Sequence, residues 1–157
     1  MKSFQPHKLG ITGVKQIPFN DYFVTADIDE VKIWDPTNNI WSLIRTYNGH
    51  QGNNPVYGIE YLNKDIIATG GDDSLVKIWS INTGQTLRTI NTNGYARVLL
   101  LLSNGFHLAV GHSYQTHTIE IFNLNTGCLL KTLEHSTGIL DLKMIGHDLL
   151  VSSTFDS

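Results

Sequence analysis

The tetrapeptide VKIW occurs twice, at 31–34 and 76–79, and a weaker copy, IEIF, stands at 119–122. The flanks repeat with it. DIIATGGDDSLVKIW (65–79) aligns with DYFVTADIDEVKIW (21–34), one residue shorter in the turn, and with GFHLAVGHSYQTHTIEIF (105–122), which is longer there. A period in the low to mid forties constrains the fold more than any other feature. A unit of this size cannot bury its apolar face alone, so successive units must stack.

Each unit reads as four short strands, a to d. In the second unit these are VYGIEYL (56–62), DIIATG (65–70), LVKIWS (75–80) and TLRTI (86–90). The strands are rich in Ile, Val, Thr, Tyr and Trp, and Gly, Asn and Asp fill the breaks. In VKIW, Val76 and Ile78 take one face and Lys77 and Trp79 the other. WSLIRTY (41–47) and CLLKTL (128–133) take the place of strand d in the first and third units, and the turn NTG precedes strand d at 82–84 and 125–127. No stretch keeps helical periodicity, so no helix is expected. The expected fold class is all-β: propeller blades of four antiparallel strands, in a partial, open propeller. Approximate blades are 7–48, 49–91, 92–134 and a truncated 135–157, within one region over 1–157.

GH at 49–50, ATGGDD at 68–73 and VKIW at 76–79 follow the order and spacing of the WD repeat, and the chain resembles the WD-repeat (WD40) β-propeller family over about three and a half repeats. The dipeptide itself appears as Trp34-Asp35 and is Trp79-Ser80 in the second unit. The resemblance implies a buried hydrogen-bond chain of His, Ser or Thr, Asp and Trp within a blade. Carried over by position, it is His50, Thr69, Asp73 and Trp79 in unit two. In unit one it is Thr25, Asp29 and Trp34, with His7 a possible start. In unit four it is His135, Ser152 and Asp156. Unit three has Val110 and Phe122 at the Thr and Trp positions and is expected to replace the polar chain by apolar packing. These residues are expected to be structural rather than catalytic.

In the same family, partners dock on the face formed by the starts of strand a and the b–c turns. By position that face would present Tyr57, Asp72, Tyr95, Arg97, Tyr114 and Phe155. Tyr and Arg are frequent interface anchors.

Other constellations carry less. Net charge is -3 without charge blocks, so no clustered basic face for nucleic acid is expected. The longest apolar run, VLLLL at 98–102, is too short to span a membrane and reads as a fully buried inner strand. Cys128 is a single cysteine with no adjacent activating group. His107, His112 and His117 are evenly spaced, but the spacing does not put three ligands on one strand face. They read as solvated strand and turn histidines, and neither metal nor cofactor is expected. TGGDDS lacks the Lys and helix of a phosphate loop. The N-terminus carries no signal-peptide pattern, and the expected setting is cytoplasmic or nuclear.

The expected function is a non-catalytic protein–protein interaction scaffold, as in complex assembly, signalling or substrate recruitment, with other proteins or peptides as partners. The alternative is a propeller-based enzyme or a binder of carbohydrate or another small ligand. The chain is expected to belong to a longer polypeptide that supplies the remaining blades, closure by a second copy being the less favoured route. An aromatic residue is expected six positions after Asp156, as Trp79 follows Asp73.

Overall fold

The computed structural model describes residues 7, 10–18, 21–37, 41–50 and 52–155. Among these there is no α-helix, and three sheets of four antiparallel strands are followed by one of two. The first sheet comprises β1 (Gly13–Gln16), β2 (Phe23–Ala26), β3 (Val31–Asp35) and β4 (Ser42–Tyr47). The second comprises β5 (Val56–Asn63), β6 (Ile66–Gly71), β7 (Leu75–Ser80) and β8 (Thr86–Asn91). The third holds β9 (Ala96–Leu101), β10 (His107–His112), β11 (Thr118–Asn123) and β12 (Leu129–Glu134), and the fourth β13 (Ile139–Ile145) and β14 (Leu149–Thr154). Strand order within each sheet follows the chain. The first strands of successive sheets lie side by side, β1 by β5, β5 by β9 and β9 by β13, so the sheets stack as blades around an inner edge without closing a ring.

Three apolar clusters fill the three gaps between blades. Ile33, Tyr47, Ile67 and Trp79 share the first, Ile78, Ile90, Leu108 and Phe122 the second, and Ala109, Ile119, Ile139 and Leu142 the third. The period-2 geometry of a strand explains this division. Trp79 projects from β7 towards blade one, while Val76 and Ile78 on the opposite face of β7 pack towards blade three. Each middle blade is therefore covered on both faces, and β6 is buried along most of its length.

The c–d pairing carries a register shift at one repeated place: between Ile33 and Trp34, Ile78 and Trp79, and Ile121 and Phe122. An extra residue there bends the strand and increases its twist. Close approach between blades falls on glycines. A Cβ at Gly70 would lie 2.5 Å from Ala96 O, and one at Gly111 would lie 2.8 Å from Ile139 Cγ2.

Two expectations change. The VLLLL strand is not fully buried: in β9 only Ala96 and Leu99 are, and Arg97, Val98, Leu100 and Leu101 are half-buried. As the innermost strand of its sheet, β9 keeps part of its surface towards the open centre. His112 is not a solvated turn residue either. It ends β10, pairs with Ala96 of β9 and is completely buried.

Candidate interaction site

Blade two brings four widely separated residues into one chain of hydrogen bonds. His50 Nδ1 lies 2.8 Å from Asp73 Oδ2, and His50 Nε2 lies 2.9 Å from Thr69 Oγ1. The Trp79 indole N–H donates to the same Thr69 oxygen at 3.2 Å. A carboxylate accepts, so the hydrogen on His50 belongs on Nδ1, leaving Nε2 to accept from the Thr69 hydroxyl. Every member is then satisfied, the condition under which a buried polar network stabilises a fold. Asp73 also accepts from the Leu75 backbone N–H at 3.1 Å, which fixes the b–c turn. The ring of Trp79 stacks flat on Tyr47 of the preceding blade, with centroids 4.2 Å apart.

Blade one repeats two of these links. His7 Nε2 lies 2.7 Å from Thr25 Oγ1, and the Trp34 N–H donates to Thr25 at 2.8 Å. Asp29 departs from the expected position. It occupies the left-handed corner of the shortened turn, φ 61°, as Ser74 does in blade two at φ 58°. Its carboxylate turns outward and accepts from the backbone N–H groups of Asn53 and Asn54 at 2.9 and 3.1 Å. The carboxylates nearest His7 are Asp27 and Glu30, each 3.8 Å from Nδ1, which is buried without a hydrogen bond among the described residues. Burial pushes the His7 pKa below its ordinary value, and the Lys32 charge pushes it the same way, over the opposing pull of Asp27 and Glu30. In blade four, His135 Nε2 lies 3.0 Å from Ser152 Oγ. Asp156 lies outside the described residues.

Blade three contains a polar pair that apolar packing was expected to replace. His112 Nε2 lies 3.0 Å from Glu120 Oε2, and His112 Nδ1 donates to Tyr95 O at 3.1 Å. Glu120 also accepts from the Asn93 N–H at 3.2 Å and is 1% exposed. In the strand alignment His112 stands where blade two has Gly71, and Glu120 where it has Lys77. The polar link has moved one pair of residues along the same face.

A second repeated device joins the blades. Arg45 of β4 donates to the carbonyl oxygens of Ile81, Asn82 and Thr83 in the c–d turn of blade two. Arg88 of β8 does the same to Asn125 and Thr126 in blade three. The guanidinium fork suits a turn that presents several carbonyls at once. LIRTY, TLRTI and LLKTL, aligned as strand d, hold the signal for it.

At the b–c turn end, Tyr57, Asp72, Tyr95, Arg97, Tyr114 and Phe155 come together. Arg97 makes a bidentate pair with Asp72, 2.9 Å from Nε to Oδ1 and 2.6 Å from Nη2 to Oδ2. Its guanidinium sits 4.2 Å from the centroid of the Tyr57 ring, 4.5 Å from Tyr114 and 5.8 Å from Tyr95. Tyr114 lies 6.4 Å from Phe155 between ring centroids. Burial opposes the charge on Arg97, but the Asp72 carboxylate and the Tyr57 and Tyr114 phenols outweigh it and raise its pKa. Tyr114 and Phe155 are 60% and 44% exposed. The cluster joins blade two, the strand a and b–c turn of blade three, and the end of β14. No group of three His, Cys, Asp or Glu side chains with a metal-binding arrangement occurs among the described residues.

Stacked antiparallel sheets of this topology, with their first strands gathered at an inner edge, are the blades of a β-propeller. Solved structures agree. The WD40 β-propeller domain of Doa1 superposes with a TM-score of 0.82 at 20% identity, over 96% of this chain and 49% of that one. The computationally designed Ika4 protein gives 0.78 at 25% identity, over 97% and 89%. The family described as WD domain, G-beta repeat matches residues 41–80. Eukaryotic translation initiation factor 3 subunit I of Culex quinquefasciatus is 30% identical over 129 residues, 78% of this chain and 38% of that protein. Small ribosomal subunit protein RACK1 of Drosophila melanogaster is 29% identical over 95 residues, 58% of this chain and 29% of that protein. Residues 41–80 are a WD repeat, and the chain has the fold of a WD40 propeller and is similar to WD-repeat proteins over most of its length. It spans 38% and 41% of the length of the two insect initiation-factor relatives that it matches.

Proposed function

We propose that the chain is a non-catalytic interaction module that binds other proteins or peptides through the Arg97 cluster. The observation that carries this reading is Arg97 held between the Tyr57 and Tyr114 rings and fixed by Asp72. Anchors whose rotamers are already set lose little entropy on binding, and aromatic and arginine anchors commonly dominate interface energies. The strands and turns that hold the cluster belong to packed blades, so the surface is presented on a rigid support. The names of two relatives, a subunit of an initiation factor and a protein of the small ribosomal subunit, support a role in assembling larger complexes and a cytoplasmic setting.

The test is affinity purification from the native cell with wild-type, Arg97→Glu, Tyr114→Ser and a remote control, Val14→Ser. A defined set of proteins retained by wild type and Val14→Ser, and lost by both cluster variants at unchanged circular dichroism, is expected. Retention of the same set by the cluster variants would overturn the assignment of this surface. Clear thermal stabilisation by a sugar or other small ligand would favour the enzyme or small-ligand alternative.

A further inference from the structure

A guanidinium carries its N–H donors on two usable edges, a side edge of Nε and Nη2 and an end edge of Nη1 and Nη2. In Arg97 the side edge is occupied by Asp72, at 2.9 Å from Nε and 2.6 Å from Nη2. The Tyr57 and Tyr114 rings flank the group, with centroids 4.2 and 4.5 Å from its central carbon. The end edge is left over. Among the described residues Nη1 has no acceptor, and it is not sealed from solvent. The side chain as a whole is 21% exposed.

The charges beside this edge restrict what can bind there. Arg97 and Tyr57 line a recess of about 220 Å³ at the inner edge of the blades, together with Lys15, Glu60, Asp141 and Lys143. Each cation already has a carboxylate. Lys15 Nζ lies 2.5 Å from Glu60 Oε2, Lys143 Nζ lies 3.5 Å from Asp141 Oδ2, and Arg97 holds Asp72. An incoming cation would find no unpaired carboxylate among these residues. A dianion such as a phosphomonoester would bring two negative charges to a balanced lining. A carboxylate brings one, and its two oxygens match the two parallel N–H groups of the end edge in a charge-assisted, bidentate pair. Apolar surface lies beside that edge: Leu140 lines the same recess at 47% exposure, and the Tyr114 ring against the guanidinium is 60% exposed.

We infer that the free edge of Arg97 is the seat of a single carboxylate from the partner, an Asp or Glu side chain with an apolar neighbour that packs on Tyr114 or Leu140. This rests on the proposal that the Arg97 cluster is the docking surface, and it supplies the chemistry of what docks. Asp72 then orients as well as neutralises. By holding the side edge it fixes the plane of the guanidinium, so the end edge is presented in one direction before binding.

The test selects peptides from a random phage-displayed library on the 157-residue chain. Clones that bind equally well to the double variant Asp72→Asn/Arg97→Gln, which keeps an uncharged polar pair, are discarded. Enrichment of Asp or Glu at one position, next to an aliphatic or aromatic residue, is expected. A synthetic peptide of the enriched sequence should bind the wild-type chain about tenfold more weakly when that acid is changed to its amide, the scale of one hydrogen-bonded charge. This comparison uses only the wild-type chain, so it does not depend on how a variant folds. Arg97→Lys, which keeps the charge and lacks the fork, should bind the acidic peptide about tenfold more weakly at unchanged circular dichroism, and Val14→Ser should bind it as wild type does. Selected peptides that need Arg97 but share no acidic position, or equal affinity of acid and amide, would overturn the carboxylate seat and leave the surface as a docking site. Tighter binding of the peptide with phosphoserine in place of the acid would assign the edge to a dianion and would also overturn it. Failure to select any peptide that distinguishes wild type from the double variant would overturn this inference and the assignment of the surface together.

Discussion

His112 Nε2 lies 3.0 Å from Glu120 Oε2 in a pair that is 0% and 2% exposed at the side chains. It ties β10 to β11 inside the one complete blade that lacks the Thr–Trp link. Replacing Glu120 by Ala removes the acceptor of both His112 Nε2 and the Asn93 N–H. A buried polar group left without its hydrogen-bond partner costs about 1–3 kcal/mol. Urea unfolding of Glu120→Ala should show a loss of that order, and Glu120→Gln a smaller one. A double change of His112 and Glu120 to apolar residues of similar volume should recover much of the loss. If the double variant is as unstable as Glu120→Ala, the pair is not the source of the effect.

Thr69 joins one donor, the Trp79 N–H, and one acceptor, His50 Nε2, through a single hydroxyl. Thr69→Val preserves shape but orphans the Trp79 N–H and His50 Nε2, at about 1–3 kcal/mol for each buried group. Trp79→Phe removes one of those orphans. A double-mutant cycle of the two changes should therefore give a coupling energy of about 0.5–3 kcal/mol, measured by denaturant unfolding. Additive losses would show that the hydroxyl and the indole act independently.

Arg88 is one of the ties between blades two and three. Arg88→Met keeps most of the stem and removes the donors to Asn125 and Thr126. The expected loss is about 1–2 kcal/mol, with Arg88→Lys between Met and wild type because an ammonium lacks the planar fork. Hydrogen exchange should rise first at the c–d turn of blade three. Uniform loosening of all blades would count against a local tie.

The depressed pKa of His7 sets a direction with pH. The unfolded chain takes up the proton at about pH 6.5, before the folded chain does. The stability due to the neutral ring is thus fully present above that pH and is lost as pH falls through the lower folded value. Lys32 opposes protonation, and Asp27 and Glu30 favour it. His7→Gln, which can keep a bond to Thr25, should lose less stability than wild type between pH 7.5 and 5.5. Parallel pH profiles for the two would exclude His7 as a contributor.

The blades were legible because a repeat displays the same alternation several times, and errors in one copy are corrected by the others. The strands read as 56–62 and 75–80 run over Val56–Asn63 and Leu75–Ser80. Of the six residues assigned by position to one face, Tyr57, Asp72, Tyr95 and Tyr114 meet at Arg97, and Phe155 lies beside Tyr114. What the repeat hid was the exception to it. Asp29 has the right type and nearly the right position, but a turn shortened by one residue puts it at the left-handed corner and reverses its direction. His112 and Glu120 lie at positions occupied by Gly71 and Lys77 in blade two, so a comparison of copies passes over them as unrelated. The series Arg45, Arg88, Lys131 was visible in the aligned strands. Its meaning needed the next blade's carbonyls, which sequence spacing does not locate.

The arginine ties all point one way along the chain, from the last strand of one unit to a turn of the following unit. Such a connection is heterologous: each unit has one giving end and one receiving end, and neither fits itself. A unit of this kind can be duplicated in tandem without inventing a new contact, since every added copy brings both halves of the joint. Growth by duplication then stops only where the curvature of the stack brings a giving end round to an unused receiving end.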